Sequence, residues 1–290
     1  MPGSEPRQSF ILCADDFGFT PGVSRGVLEL VRKRRLSAVG CMTTMETFPS
    51  FGEELQKHGS HIDIGLHIVL TGLRPLGDML TLAPIGKLPS IGDLAKLAIM
   101  DKLDKTEIKA EVTRQIELFS SVMGRLPDFV DGHHHVQQLP VIRDCILDAL
   151  TAQHGNRLPY LRVCHEPFWS IIRRGVAPAR ALMIGLFGSG LSRRARKLGL
   201  PVTGGFSGVY DFADHQPYAA LFDRFTRGLR RNSLIMCHPG YVDDELRHLD
   251  SLTTQREAEL AFFLNDEFIE LLRRKNLRLG RFEHGPESFS

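Results

Sequence analysis

The sequence predicts an α/β fold: a mostly parallel sheet with helical crossovers, open or closed into a barrel. Three observations carry the prediction. Apolar runs of strand length alternate with helical patterns from the first residues onward, with no internal repeat or low-complexity tract. The length of 290 residues suits two domains of roughly 150 residues or one α/β barrel of about 250. Polar residues gather at the ends of the apolar runs, where such folds place their chemistry.

Taken in order, residues 10–14 (FILCA) form a first strand ending in Asp15 and Asp16. Residues 21–34 follow as an amphipathic helix, with Val23, Val27, Leu30 and Val31 at helical spacing. Strands are predicted over 38–42 and 62–70, the second carrying His67. Residues 72–92 are rich in Gly and Pro and read as a long loop, with a short helix after Asp93. Residues 106–123 form a stronger helix, with Glu107, Glu111 and Glu117 interleaved with Lys109 and Arg114 on its solvated face. A short strand over 129–131 runs into Gly132 and three histidines. Residues 142–150 are helical, 160–164 and 234–237 are strands, and 253–275 form one long helix.

The charge balance excludes two classes. With 36 Lys plus Arg against 34 Asp plus Glu, the chain is neither a polybasic nucleic-acid binder nor an acidic disordered protein. The charges are nevertheless uneven. No acidic residue lies between Glu166 and Asp211, while Arg173, Arg174, Arg180, Arg193, Arg194, Arg196 and Lys197 do. Those seven of the 36 leave 29 basic against 34 acidic residues, a net −5 elsewhere. Within this basic, apolar insertion at about 167–210, residues 171–200 flank an apolar centre with arginines. That segment either packs on the core or lies on an anionic membrane. In the second case Leu182, Met183, Leu186 and Phe187 insert and Arg193, Arg194 and Arg196 meet the headgroups. Five scattered cysteines without a C-x-x-C pair read as free thiols of a reducing compartment. The N-terminal residues lack the apolar core of a signal peptide, and no apolar run approaches the ~20 residues of a membrane span. The expected location is cytoplasmic, with peripheral contact at the inner face of the membrane.

Four strand ends carry groups suited to catalysis: Asp15 and Asp16, then His67, then Asp131 with His133, His134 and His135, then His238 in CHPGY. Adjacent carboxylates at the end of an apolar run repel each other and resist desolvation. A divalent cation relieves both problems. One Asp with two His forms a three-ligand set that leaves positions for water and substrate. The other Asp then serves as general base, and a His protonates the leaving group. Singly, each feature has a plainer explanation. Asp-Asp caps the helix entered through Thr20 and Pro21, a lone His is satisfied in the core, and His before Pro-Gly is a loop residue. Four together at four strand ends are much harder to explain that way.

The strings ADDFGFTPGVSRGV from Ala14, GLHIVLTG at 65–72, DGHHHVQQLP at 131–140 and MCHPGY at 236–241 resemble the YdjC-type carbohydrate deacetylases, in that family's order. The resemblance spans nearly the whole chain and implies a single domain over 1–290, built as a distorted (β/α) barrel. It implies removal of the N-acetyl group of an amino sugar with one divalent metal, zinc or magnesium. It also implies Asp16, His67 and His133 as metal ligands, Asp15 as catalytic base and His238 as general acid. Arg162, His135, Gln137 and Tyr241 are the implied substrate contacts. Gln137 stands where the family commonly has a further histidine, so an amide that can hydrogen-bond but not act as acid or base replaces an imidazole there. Some relatives act on lipid-linked amino sugars, as polyprenyl-phosphate or hopanoid conjugates, and others on soluble chito-oligosaccharides; the basic insertion suits the lipid-linked class better. A metal-dependent phosphoesterase and a non-catalytic carbohydrate-binding protein are the competing readings. The oligomeric state, a homodimer included, stays open.

Overall fold

The computed structural model describes residues 7–152, 158–212 and 216–284. Its central strands are buried on both faces, which is why they read as continuous apolar runs rather than alternating ones. They are β1 (Gln8–Phe17), β2 (Ala38–Cys41), β3 (Asp63–Ile68), β4 (Phe129–Gly132), β5 (Tyr160–Leu161), β6 (Gly205–Ser207), β7 (Ser233–Cys237) and β8 (Leu277–Leu279). All pairings are parallel, in the order β5-β4-β3-β2-β1-β7-β6, with β8 beside the start of β1. The sheet curls until its two ends nearly meet. Leu161 forms a parallel bridge with Val202, and Thr203 N donates to Leu161 O at 3.0 Å. One residue later Gly204 N donates to Asn232 O at 2.9 Å. The segment entering β6 therefore touches β5 first and the β7 side next, giving the distorted barrel that the sequence led us to expect.

Strand alternation sorts the core into two shells. On β1, Phe10, Leu12 and Ala14 belong to the large outer core under the helices. Ile11 and Cys13 point inward and pack with Phe129, Tyr160, Phe206, Leu234, Met236 and Phe282. Continued by two residues, the same inward rows reach Asp15 on β1 and His238 after β7. On β3 the inward Gly65 gives room to the Phe129 ring, and two residues on comes His67. The catalytic candidates are thus the last layer of the barrel's own interior, at the carboxyl ends of the strands.

Three readings are corrected. Residues 253–275 are two helices, Thr254–Leu264 and Asp266–Arg274. Asn265 divides them: its backbone is extended, and its side chain accepts the Glu267 N–H at 2.9 Å. Glu111 is not on a solvated face. It is fully buried and accepts Leu76 N at 2.9 Å, Gly77 N at 3.2 Å and Arg114 Nη2 at 2.9 Å, pinning the loop that precedes Ile91. The strand predicted over 160–164 is two residues long, and β6 and β8, three residues each, have no counterpart in the sequence reading. All five cysteines are free and buried. No helix among the described residues is long and apolar enough to cross a membrane.

Gly208, just past β6, has φ 104°, and a Cβ there would stand 2.2 Å from Met236 O. Gly208→Ala is expected to destabilise the fold by about 1–3 kcal/mol. An unchanged urea midpoint would contradict this close approach of the chain after β6 to β7.

Candidate active site

Alternation alone would send Asp15 inward and Asp16 outward. The backbone breaks the rule at this point. Asp16 has φ 63°, and the register with β2 shifts between Ala14 and Phe17, so both carboxyls reach the barrel mouth. Beyond β4, residues His133–Gln138 form a short 3-10 turn in which His134 (φ 53°) and His135 (φ 60°) are also left-handed. Three non-glycine residues in this sparsely populated region, all at one rim, mark a constrained site.

Two buried guanidiniums sort the acids. Arg162 Nη1 lies 2.7 and 2.8 Å from the two oxygens of Asp15 and 3.0 Å from Asp131 Oδ2. Arg256 Nη2 lies 2.6 Å from Asp16 Oδ2 and 2.9 Å from Asp250 Oδ2. The other oxygen of Asp131 takes His67 Nδ1 at 2.7 Å, which turns His67 Nε2 towards Asp16 Oδ1, 3.4 Å away. His133 Nδ1 is 3.1 Å from the same Asp16 oxygen. On the far side, His238 Nε2 stands 3.9 Å from Asp15 Oδ2. Its backbone N–H donates to Glu259 at 2.6 Å, and Tyr210 donates to Glu259 at 2.7 Å.

The electrostatics follow from this layout. Burial pushes the Asp16 carboxyl up, but Arg256 and His133 outweigh it and hold it well below the ordinary carboxylate value. Asp15 is likewise held down against burial by Arg162 and His67. Burial draws His67 down, yet the charges of Asp131 and Asp15 prevail and push it up to about 10. That field favours positive charge beside His67. His238 is lowered, mainly by burial, and burial raises Glu259 to about 7.

Two donor sets have atoms within 4.8 Å of one another: Asp16, His67 and His133, and Cys13, Asp15 and Asp131. Only the first fits a divalent ion. In the second, the Arg162 guanidinium already stands between the two carboxylates, and burial drives the Cys13 thiol well up, away from the thiolate a metal needs. In the first, a carboxylate oxygen and two imidazoles converge. Across the cluster, the three buried carboxylates of Asp15, Asp16 and Asp131 meet two guanidiniums, Arg162 and Arg256, and a cation taking the place of the His67 proton would balance the third.

Asp15, Asp16, His67, His133, His135, Arg162 and His238 all line one cavity of about 410 Å³. Two expected substrate contacts do not. Gln137 is fully buried and donates to Arg162 O at 3.1 Å, so it braces the neighbouring strand rather than facing the cavity. Tyr241 is exposed and donates to Glu29 at 2.5 Å, over the helix Pro21–Arg32. The basic insertion forms helices Phe168–Arg174, Pro178–Gly185 and Gly188–Lys197. Its Arg180, Met183 and Ile184 line the cavity mouth. Of the expected membrane contacts, Arg193, Arg194 and Arg196 are all exposed, and Arg194 pairs with Asp144. Leu182 is half-buried, and half-buried Phe187 packs on the main core, which leaves Met183 and Leu186 as the exposed apolar groups of that helix. Trp169, 77% exposed, and Phe168 extend the apolar surface and were not singled out in the sequence.

Sequence reading also missed Arg256, Glu259 and Asp250, and named Arg180 only as part of the basic island. For Arg256 and Glu259 a signal existed. They share one helical stripe with Leu260 and Phe263, so two charged residues occupy positions that face the core.

The family model described as YdjC-like protein matches residues 9–274. A relative named carbohydrate deacetylase from Clostridium beijerinckii is 25% identical over 276 residues, covering 94% of this chain and 98% of that protein. A relative named chitooligosaccharide deacetylase from Yersinia pestis is 29% identical over 281 residues, covering 94% and 97%. Among solved structures, a candidate cellobiose-phosphate cleavage protein from Enterococcus faecalis superposes with a TM-score of 0.69 at 19% identity, covering 95% of this chain and 97% of that one. Motif, fold and full-length match agree: the chain belongs to the YdjC-like protein family.

Proposed function

We propose that this protein is a metal-dependent carbohydrate deacetylase that hydrolyses the N-acetyl group of an amino sugar to acetate and a free amine. The observation that carries the reading is the division of labour in the buried acids. Asp15, held by Arg162, stands apart from the three-donor set of Asp16, His67 and His133, and both open onto one cavity. The relatives named carbohydrate deacetylase and chitooligosaccharide deacetylase support the same activity.

Asp16, His67 and His133 would hold the ion, and two imidazoles with one carboxylate suit zinc better than magnesium. Such an ion supplies a water of lowered pKa and polarises the acetamide carbonyl. Asp15, ionised by its Arg162 pairing, accepts the proton of the attacking water. His238, whose Nε2 stands 3.9 Å from Asp15 Oδ2, takes up that proton and passes it to the departing amine, which otherwise leaves poorly, so both side chains return to their starting state. Asp131 fixes the ring of His67. Arg162, which touches both Asp15 and Asp131, keeps base and ligand support in one frame.

For the substrate, we favour an amino sugar carrying a lipid-linked phosphate. Arg180 at the cavity mouth offers a guanidinium with no carboxylate partner among the described residues, beside Met183, Ile184, Phe212 and Leu252. Exposed Trp169, Met183 and Leu186 with Arg193 and Arg196 suit peripheral contact with an anionic membrane. Soluble chito-oligosaccharides are the second reading, favoured by the name of the Yersinia pestis relative.

Acetate release from both substrate classes, with and without chelator, tests the activity; release that persists without metal would sink it. Asp15→Asn is expected to keep metal and lose turnover by about 10²–10⁴-fold. His67→Ala is expected to lose metal affinity itself, measured by calorimetry, and normal turnover in either variant contradicts the assignment. Replacing Arg193, Arg194 and Arg196 together by Gln should weaken co-sedimentation with anionic liposomes. Unchanged partitioning removes the membrane reading while leaving the deacetylase intact.

A further inference from the structure

The helix Thr254–Leu264 carries two fully buried charged residues one turn apart, and each grips a different half of the site. Arg256 holds Asp16 Oδ2 and Asp250 Oδ2 through Nη2, and its Nε donates to Leu252 O at 3.1 Å. One oxygen of Asp16 is thereby taken, and Oδ1 is the one left facing His67 and His133. Glu259 accepts the His238 N–H at 2.6 Å. The loop after His238 returns to the same helix, with Gly240 N donating to Arg256 O at 3.2 Å.

The state of the His238 ring makes this grip consequential. A histidine in a site is ordinarily oriented by a hydrogen bond at its second ring nitrogen. Here Nδ1 of His238 is buried with no partner among the described residues, while the ring lies T-shaped to Phe212, centroids 5.8 Å apart, and its Nε2 is 3.9 Å from Asp15 Oδ2, beyond hydrogen-bond distance. Its position therefore depends on its backbone, and the side-chain acceptor on that backbone is Glu259.

We propose that Arg256 and Glu259 are positioning residues for the reaction: Arg256 presents Asp16 to the metal through a single oxygen, and Glu259 sets the place of the His238 imidazole through its amide. The Glu259 half rests on the deacetylase reading; the Arg256 half requires only that the site binds metal.

The test compares Arg256→Met, Glu259→Ala and Glu259→Gln with wild type in four measurements. These are zinc affinity of the metal-freed protein by competition with a chromophoric chelator, kcat and KM for acetate release, the His238 ring resonances by NMR, and Tm. Arg256→Met, which leaves Asp16 Oδ2 buried and unpaired, is expected to weaken zinc by about 10–100-fold. Glu259→Ala is expected to lower kcat by about 10–100-fold with KM and zinc affinity unchanged, and to shift the His238 resonances. Glu259→Gln, whose amide oxygen still accepts the His238 N–H, should restore both. Zinc affinity and kcat falling together in both residues' variants, in proportion to Tm, would reduce the helix to a structural element and overturn the proposal. Unchanged zinc affinity in Arg256→Met, or unmoved His238 resonances in Glu259→Ala, overturns the corresponding half. If wild type releases no acetate, the deacetylase reading fails by itself, and zinc affinity and the His238 resonances still decide the two contacts.

Discussion

The Arg162 guanidinium, lodged between Asp15 and Asp131, is the interaction on which the rest of the site depends. Both acids end inward rows of the barrel and are buried, Asp15 at the floor of the cavity. Left alone they would repel across a medium that screens poorly, and one would take up a proton. With Arg162 between them the repulsion is relieved, leaving Asp15 as the base and Asp131 as the clamp on His67. Removing one member of such a buried set typically costs on the order of 3–5 kcal/mol, because the partners are left charged and unpaired. The same guanidinium fills the second potential metal set, Cys13 with Asp15 and Asp131. That argues against a two-metal phosphoesterase, for which a second ion is the natural requirement.

The barrel provides this arrangement cheaply in sequence but not in conformation. A period of two delivers Asp15, His67, Asp131 and Arg162 to one interior without further instruction. Gly40 leaves space beside the His67–Asp131 pair, where a Cβ would stand 3.3 Å from His67 Nδ1. Asp16, His134 and His135 are different. Each must leave the ordinary backbone regions to face the cavity, and the surrounding hydrogen bonds and packing have to hold them there.

This division also explains what could be read in the sequence. The parallel α/β architecture was legible because 10–14, 38–42 and 234–237 are apolar runs that end in polar residues. The gathering of Asp15, Asp16, His67, His133 and His238 was legible for the same reason, since strand ends converge whatever lies between them. What escaped lies on helices and seams. Arg256 and Glu259 sit on a helix that looks solvated until its apolar stripe is drawn, and Glu111 was misread in the same way. Gln137 and Tyr241 were placed in the cavity by motif proximity. Yet Gln137 faces the neighbouring strand, and Tyr241 has already turned onto the first helix. The strand β6 was invisible because Gly205–Ser207 has neither the length nor the pattern of a strand and is held by the barrel seam.

The insertion between β5 and β6 connects the basic island to the chemistry, since Arg180 and Met183 line the same cavity as Asp15. What that wall recognises is a question of specificity; the centre beneath it is a question of charge. The central claim is that two guanidiniums partition the buried acids so that one divalent ion, and only one, has a place. Titration of the metal-freed protein with zinc, read by native mass spectrometry, tests it most directly. The account predicts one ion bound per chain, lost on replacing His133 by Ala. A second ion of comparable affinity, or full binding in the His133 variant, would contradict it.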